Sequence, residues 1–232
     1  MSNDDNSYIK EYPYLTYDEF TRCMDGFEKR LGAVIRADGS KSVHIAGIEG
    51  SRRRYLQIIT RLYKQGEERS STANEQEDEL LDMEDPDPAQ PVSVASTDSK
   101  PVENGWVEYH VVYSPGWRVP VLYLRMYIND KGDDQGARVV LDTAAMADVL
   151  VSDRDVRNAM AAVEFGGALG VQDHPVLGHP YMYLHPCHTA TLMRTVGSSF
   201  SKSIGDVEYL AAWLSLVGPA VGLTLPSVPL GP

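Results

Sequence analysis

Between Thr16 and Ile35 the apolar residues Phe20, Cys23, Met24, Phe27, Leu31, Val34 and Ile35 recur at three- and four-residue intervals, the spacing of one face of an amphipathic helix. Thr16 followed by Glu19 has the form of a capping box, so the helix is expected to start there. Cys23 falls on the apolar face and reads as a small buried hydrophobe rather than a reactive thiol. After a turn containing Gly and Asp the period changes to two. Leu56, Ile58, Thr60 and Leu62 alternate with Tyr55, Gln57, Ile59, Arg61 and Tyr63, which predicts a strand. Trp106–Tyr113 and Val119–Ile128 are two more runs rich in Val, Tyr and Leu. Joined by Ser114–Arg118, they predict an antiparallel hairpin with a longer loop. Leu141–Val163 returns to loosely helical spacing and predicts two short helices with a break near Ser152–Asp153. Asp206 is placed to cap a last helix that carries Val207, Leu210, Ala211, Leu214 and Val217 on one face and stops at Gly218-Pro219.

Helix, antiparallel strands, then helices is an α+β arrangement, an antiparallel sheet flanked by helices, and 232 residues suffice for one such core. Charge changes this picture at one place. Between Gly66 and Asn104 stand twelve acids against Arg69 and Lys100, ten of the twelve net negative charges of the chain. Rich in Ser, Pro, Asn and Gln, this stretch cannot bury enough apolar surface to offset its ordering entropy. The reading is a single domain over 1–232 with a disordered acidic insert at 66–104, between two strands, and a flexible tail at 226–232. The remaining body is nearly neutral and lacks a basic stripe, which argues against nucleic acid as a ligand. No apolar run is long enough to span a membrane. Cys23 and Cys187 lie 164 positions apart, and the start has no apolar run of signal-peptide form. A reducing, cytoplasmic setting without a structural disulfide is expected.

The candidate chemistry lies in HPVLGHPYMYLHPCHTATLM, His174–Met193, which holds four of the six histidines and one of the two cysteines. His174, His179, His185, Cys187 and His188 are all permissible zinc ligands. Their spacing lacks the paired knuckles of structural zinc, however, and His-Pro dipeptides have a simpler role in holding a chain extended and irregular, so neither a metal nor another cofactor is expected. A nucleophilic thiol is the second reading. Cys187 has His185 and His188 beside it and precedes a segment able to begin a helical turn. The third reading is a buried structural cysteine, and the residues alone leave these two open. A hydrolase would need an oriented base, for which His110 with Glu108 or Asp173 with His174 are candidates that nothing in the sequence selects. A thiol that relays an acyl group from a thioester to an amine needs less: an exposed sulfur and a platform for two macromolecules.

Three segments carry a resemblance. Glu108–Tyr127, His174–Met193 and Tyr209–Pro226 closely resemble the autophagy-related protein 10 family, ubiquitin-like-conjugating enzymes. The Tyr-x-x-x-Tyr-Ser and Val-Pro-Val-Leu-Tyr hairpin and the Trp-Leu-Ser-x-Val-Gly-Pro helix end distinguish it from the sister family, autophagy-related protein 3, which shares the His-Pro-Cys tripeptide. The resemblance implies a fold similar to ubiquitin-conjugating enzymes. It also implies that Cys187 takes the C-terminal glycine of autophagy protein 12 from the activating enzyme, autophagy protein 7, as a thioester, and that a lysine of autophagy protein 5 then attacks it. His185 and Pro186 match the motif and are expected to shape the loop. Thr189, Asn129 and Tyr109 are candidate polar helpers, since the His-Pro-Asn motif of ordinary ubiquitin-conjugating enzymes is missing. A non-catalytic binding module of the same fold is the alternative.

Overall fold

The computed structural model describes residues 8–37, 39–48, 52–63, 103–129, 136–142, 146, 150, 169–197 and 204–226. Helix α1, Tyr17–Arg36, opens with the expected capping box. The Thr16 hydroxyl accepts from the Glu19 N–H, and the Glu19 carboxylate accepts from the N–H groups of Thr16 and Lys10. Strands β1 (Lys41–Ile48), β2 (Arg53–Tyr63), β3 (Glu103–Ser114) and β4 (Val119–Asn129) follow, then β5 (Ala137–Val140), β6 (Leu169–Asp173) and β7 (Pro180–Leu184). A 3-10 turn at Pro186–His188 leads into α2, Thr189–Gly197, and α3 spans Asp206–Val217. The sheet has the order β1-β2-β3-β4-β7-β6 and every pairing is antiparallel. The other edge of β4 is shared lengthwise. β5 pairs with Met126–Asn129, and β7 pairs with Tyr123 and Leu124.

The α+β arrangement is as expected, but four strands, β1, β5, β6 and β7, are additional to those the pattern predicts. β1 was read as part of a turn. It is an edge strand whose inward-facing row, Val43, Ile45 and Gly47, gives out at the glycine, and only Val43 in it is buried. β7 lies within the His-rich stretch, which was expected to be a loop after the sheet, and pairs with β6, which ends just before that stretch. Glu103 and Asn104, assigned to the acidic insert, are instead the first residues of β3, with Glu103 opposite Tyr63. The insert's ends therefore meet on neighbouring strands, where even a long excursion adds little closure entropy. The rest of that insert, most of the segment read as two short helices, and residues 227–232 lie outside the described residues; Met146 and Leu150 are helical.

One face of the sheet is the main core. Val107, Tyr109, Val111, Leu122, Leu124 and Met126 point toward Phe20, Cys23, Met24 and Phe27 of α1 and toward Tyr209, Leu210 and Trp213 of α3. Gly26 lets the two helices approach, because a Cβ there would meet Val207 Cγ2 at 2.8 Å. Gly105 is needed for its backbone: φ is +145° at the irregularity between β2 and β3, and a Cβ would lie 2.0 Å from the Tyr127 carbonyl oxygen. Asp206 does not cap α3, as had been expected. The cap is Gly205 without a side-chain bond, and the Asp206 carboxylate instead pairs with Arg22 of α1 at 2.9 Å. The opposite face of the sheet carries a smaller cluster of Tyr55, Val112, Val121, Tyr123 and Tyr181. Among the described residues no helix is long and apolar enough to cross a membrane.

Candidate active site

Chain direction places the thiol. β7 runs antiparallel to β4 with Tyr183 opposite Tyr123, so the chain leaves β7 at the Val119 end of β4, beside the β3–β4 turn. There Pro186 occupies the first position of the 3-10 turn, where a backbone N–H is not required. Pro186 is buried and anchors the turn; Cys187, next to it, is exposed. His185 is the residue before the turn, with extended backbone at φ −63°, ψ 129°, and its Nδ1 accepts the Cys187 N–H at 3.2 Å. The His185 ring meets Trp117 of the β3–β4 turn edge-on, with centroids 5.4 Å apart. The turn continues into α2, as the spacing of Thr189–Met193 suggested, and the Thr189 N–H donates to the Pro186 carbonyl.

The two cysteines have opposite environments. Cys23 is fully buried under α3, and burial, with Asp206 nearby, pushes its thiol far above its ordinary value. It therefore stays a protonated core side chain, as its position on the apolar face of α1 suggested. Cys187 is the exposed thiol.

The remaining candidates separate in space. Thr189 is buried at the start of α2. Tyr109 is fully buried in the helix-covered core, and its hydroxyl donates to the Val221 carbonyl at 2.9 Å. Asn129 ends β4 at the end remote from the turn, roughly 33 Å along a strand rising about 3.3 Å per residue. Neither Tyr109 nor Asn129 is brought beside Cys187. Among the described residues no three His, Cys, Asp or Glu side chains stand together as a metal-holding group.

His174 and His110 form a unit of their own on the outer face of the sheet. Both are 1% exposed, and His110 Nδ1 lies 3.2 Å from His174 Nε2. His174 Nδ1 accepts from the N–H groups of Val176 and Leu177, so its proton sits on Nε2 and is directed at His110. His110 then carries its proton on Nε2, which has no hydrogen-bond partner among the described residues and lies 3.9 Å from Glu108 Oε2. The rings of Tyr55, Tyr123 and Tyr181 surround the pair. Burial, then the neighbouring His174 and His44, pulls His110 down to about 3, and burial pulls His174 down to about 4. These rings are neutral and enclosed. Of the two base pairings suggested by the sequence, His110 is near Glu108, while His174 turns to His110 and its own turn.

The pattern missed the wall beside the thiol. A cavity of about 250 Å³ lies against His185 and Pro186, walled by Trp117, Val121, Tyr123, Gln172 and Tyr183. Trp117 is 48% exposed, unusual for so large an apolar ring. Its only signal in the sequence was an aromatic residue within a hairpin connection.

Comparison with known proteins adds the family. A family model described as "Autophagocytosis associated protein, active-site domain" matches residues 19–228. The "Ubiquitin-like-conjugating enzyme ATG10" of Homo sapiens is 36% identical over 119 residues, covering 51% of this chain and 50% of the human one. The protein of that name from Arabidopsis thaliana is 32% identical over 130 residues, 53% of this chain and 52% of the other, and that from Gibberella zeae is 30% identical over 149 residues, 64% and 56%. The chain thus spans about half the length of the curated relatives it matches. A solved structure titled "Crystal structure of Autophagic E2, Atg10" is 10% identical at a TM-score of 0.46, covering 90% of this chain and 97% of that one. With the family match running from the third residue of α1 to beyond α3, the chain belongs to the family of autophagocytosis-associated proteins with this active-site domain, and its relatives there are ATG10 conjugating enzymes.

Proposed function

We propose that this chain is a ubiquitin-like-conjugating enzyme of the cytoplasm, acting as a single domain, in which Cys187 carries a ubiquitin-like protein as a thioester and delivers it to a lysine amine. The observation that carries the reading is the contrast between the two thiols: Cys23 is sealed in the core, and Cys187 stands exposed on a turn anchored by Pro186 and capped by His185. The names of the relatives agree with it. Following the resemblance of the Glu108–Tyr127, His174–Met193 and Tyr209–Pro226 segments to the autophagy-related protein 10 family, the donor is autophagy protein 12, loaded by autophagy protein 7, and the acceptor is autophagy protein 5.

The reaction has two acyl transfers. In the first, the Cys187 sulfur attacks the carbonyl of the thioester on the activating enzyme. A new C–S bond forms, the old one breaks, and the activating enzyme's thiol leaves. In the second, an uncharged lysine amine attacks the Cys187 thioester. The C–N bond forms, the C–S bond breaks, the amine loses its proton and the Cys187 thiol is restored. The donor carbonyl arrives already activated, so the chain's main task is to hold sulfur and amine in line. The turn does the first part of this by fixing the backbone of Cys187. Pro186 and Thr189 act through that turn in this reading: Pro186 anchors it, and Thr189 joins it to α2.

A discharge experiment tests the function. The chain is loaded with autophagy protein 12 by autophagy protein 7 and ATP, the activating enzyme is quenched, and autophagy protein 5 or free lysine is added. Transfer to protein 5 much faster than to free lysine supports the reading. Equal discharge to both, or loading with ubiquitin as readily as with protein 12, contradicts the partner assignment.

A further inference from the structure

We propose that His185 is a positioning residue for Cys187, the side-chain cap of the turn that presents the sulfur, and not the base that takes the Cys187 proton during loading. The inference rests on the reading of Cys187 as the acyl carrier, and it assigns a role to the residue two positions before it.

The hydrogen-bond inventory decides between cap and base. Nδ1 of His185 accepts the Cys187 N–H, so that nitrogen is unprotonated and occupied, and the neutral ring has its proton on Nε2. A base needs a free lone pair directed at the proton it removes. Turning the ring to free Nδ1 would leave the Cys187 N–H without its acceptor and break the edge contact with Trp117. The ring is held on two further sides, by Trp117 at 5.4 Å and by Tyr183 at 6.0 Å between centroids. These contacts suit a fixed strut better than a ring that changes partners during a reaction.

The turn also needs such a strut. Helix starts leave N–H groups without intrahelical partners. Here Pro186 has no N–H, the Thr189 N–H is bonded to the Pro186 carbonyl, and the Cys187 N–H is taken up by His185. The turn is only three residues long and lies at the surface, and displacement of the sulfur by even about 1 Å is enough to slow a reaction that depends on alignment. Imidazole Nδ1 and the side-chain oxygen of asparagine stand at comparable distances from the backbone, and asparagine is among the best capping residues, whereas alanine cannot cap. Asparagine is also unable to act as a base near neutral pH. The two substitutions therefore separate the roles.

The experiment compares wild type, His185→Asn and His185→Ala in the full chain. Two quantities are measured: the single-turnover rate of thioester loading from autophagy protein 7 between pH 6 and pH 9, and the hydrogen exchange rate of the Cys187 amide in the unloaded protein. Loss of a cap worth about 1 kcal/mol predicts roughly fivefold slower loading and roughly fivefold faster exchange in His185→Ala. His185→Asn recovers both to within about twofold. An asparagine variant that restores slow amide exchange but still loads as slowly as alanine overturns the proposal in favour of a base. An exchange rate unaltered in His185→Ala overturns it as well. Because exchange is read without any donor, it reports on the cap even if loading of Cys187→Ser shows that the carrier lies elsewhere. Failure of the carrier assignment and failure of the cap thus give different results.

Discussion

Replacing His110 and His174 by asparagine removes two titrating rings while keeping a side-chain oxygen near each Nδ1 position, and it tests whether the enclosed histidine pair makes the fold acid-sensitive. In the unfolded chain each imidazole titrates near 6.5. In the folded protein burial holds them neutral down to about 3 for His110 and about 4 for His174. Between these values and 6.5 the unfolded state binds more protons, so stability rises with pH; it is fully present above about 6.5 and is lost as pH falls below that. From pH 7 to pH 5 the loss depends only on the unfolded value, because both rings stay neutral in the fold throughout. It comes to about 2 kcal/mol per ring and about 4 kcal/mol for the pair, a large part of the stability of a typical domain. The donors at His174 Nδ1 explain why folding resists the proton there: a protonated ring would direct an N–H at those of Val176 and Leu177. Urea unfolding of wild type, each single variant and the double variant at pH 7 and pH 5 measures the effect. Each single variant should lose about half of the pH dependence and the double nearly all of it. His44, Glu108 and Arg125, which share this face of the sheet, are kept in every variant and cancel in the comparison. A double variant with the same pH dependence as wild type would refute the reasoning.

Glu19→Ala removes an acceptor that serves the N–H groups of Thr16 and Lys10 and the Thr16 hydroxyl, and it should cost about 2 kcal/mol in denaturant unfolding at pH 7; a cost below about 0.5 kcal/mol would show that the capping box is dispensable. Burial opposes the charge of Glu19, but these donors hold its carboxyl below the ordinary range, so its contribution is present above the usual carboxylate pKa and is lost as pH falls through the folded value. Cys23→Ala empties a small volume of the α1–α3 core and should cost about 1 kcal/mol by the same assay. The same variant should still form the reductant-sensitive adduct, which electrophoresis checks.

What the pattern revealed and what it concealed follow from how local each signal is. The capping box of α1, the alternation of β2 and the hairpin of β3 and β4 are set by neighbours within a few residues, and all stand where they were expected. β6 and β7 are five residues each and carry a Gly and a Pro respectively, too short for a period of two to emerge. Asp206 obeys a tertiary partner, Arg22, that no local rule contains. At the site, the chemistry of Cys187 was visible as a thiol between histidines, but its exposure depends on where β7 leaves the sheet. Tyr109 was a candidate polar helper in the absence of a His-Pro-Asn motif, yet its place on β3 turns it inward. His185 was expected to shape the loop; that it does so by accepting the Cys187 N–H depends on the backbone angles of one residue. The joining of His110 and His174, 64 residues apart in sequence, required the β6–β7 turn, which starts at His174, to lie against the face of the sheet.

The most direct test of the central claim is a loading reaction with autophagy protein 7, ATP and autophagy protein 12, resolved by non-reducing electrophoresis for wild type and Cys187→Ser. The account predicts a reductant-sensitive adduct on wild type and, in its place, a reductant-resistant oxyester on the serine variant. A reductant-sensitive adduct persisting on Cys187→Ser, or no adduct on either protein, would contradict it; the second result would point to a binding module.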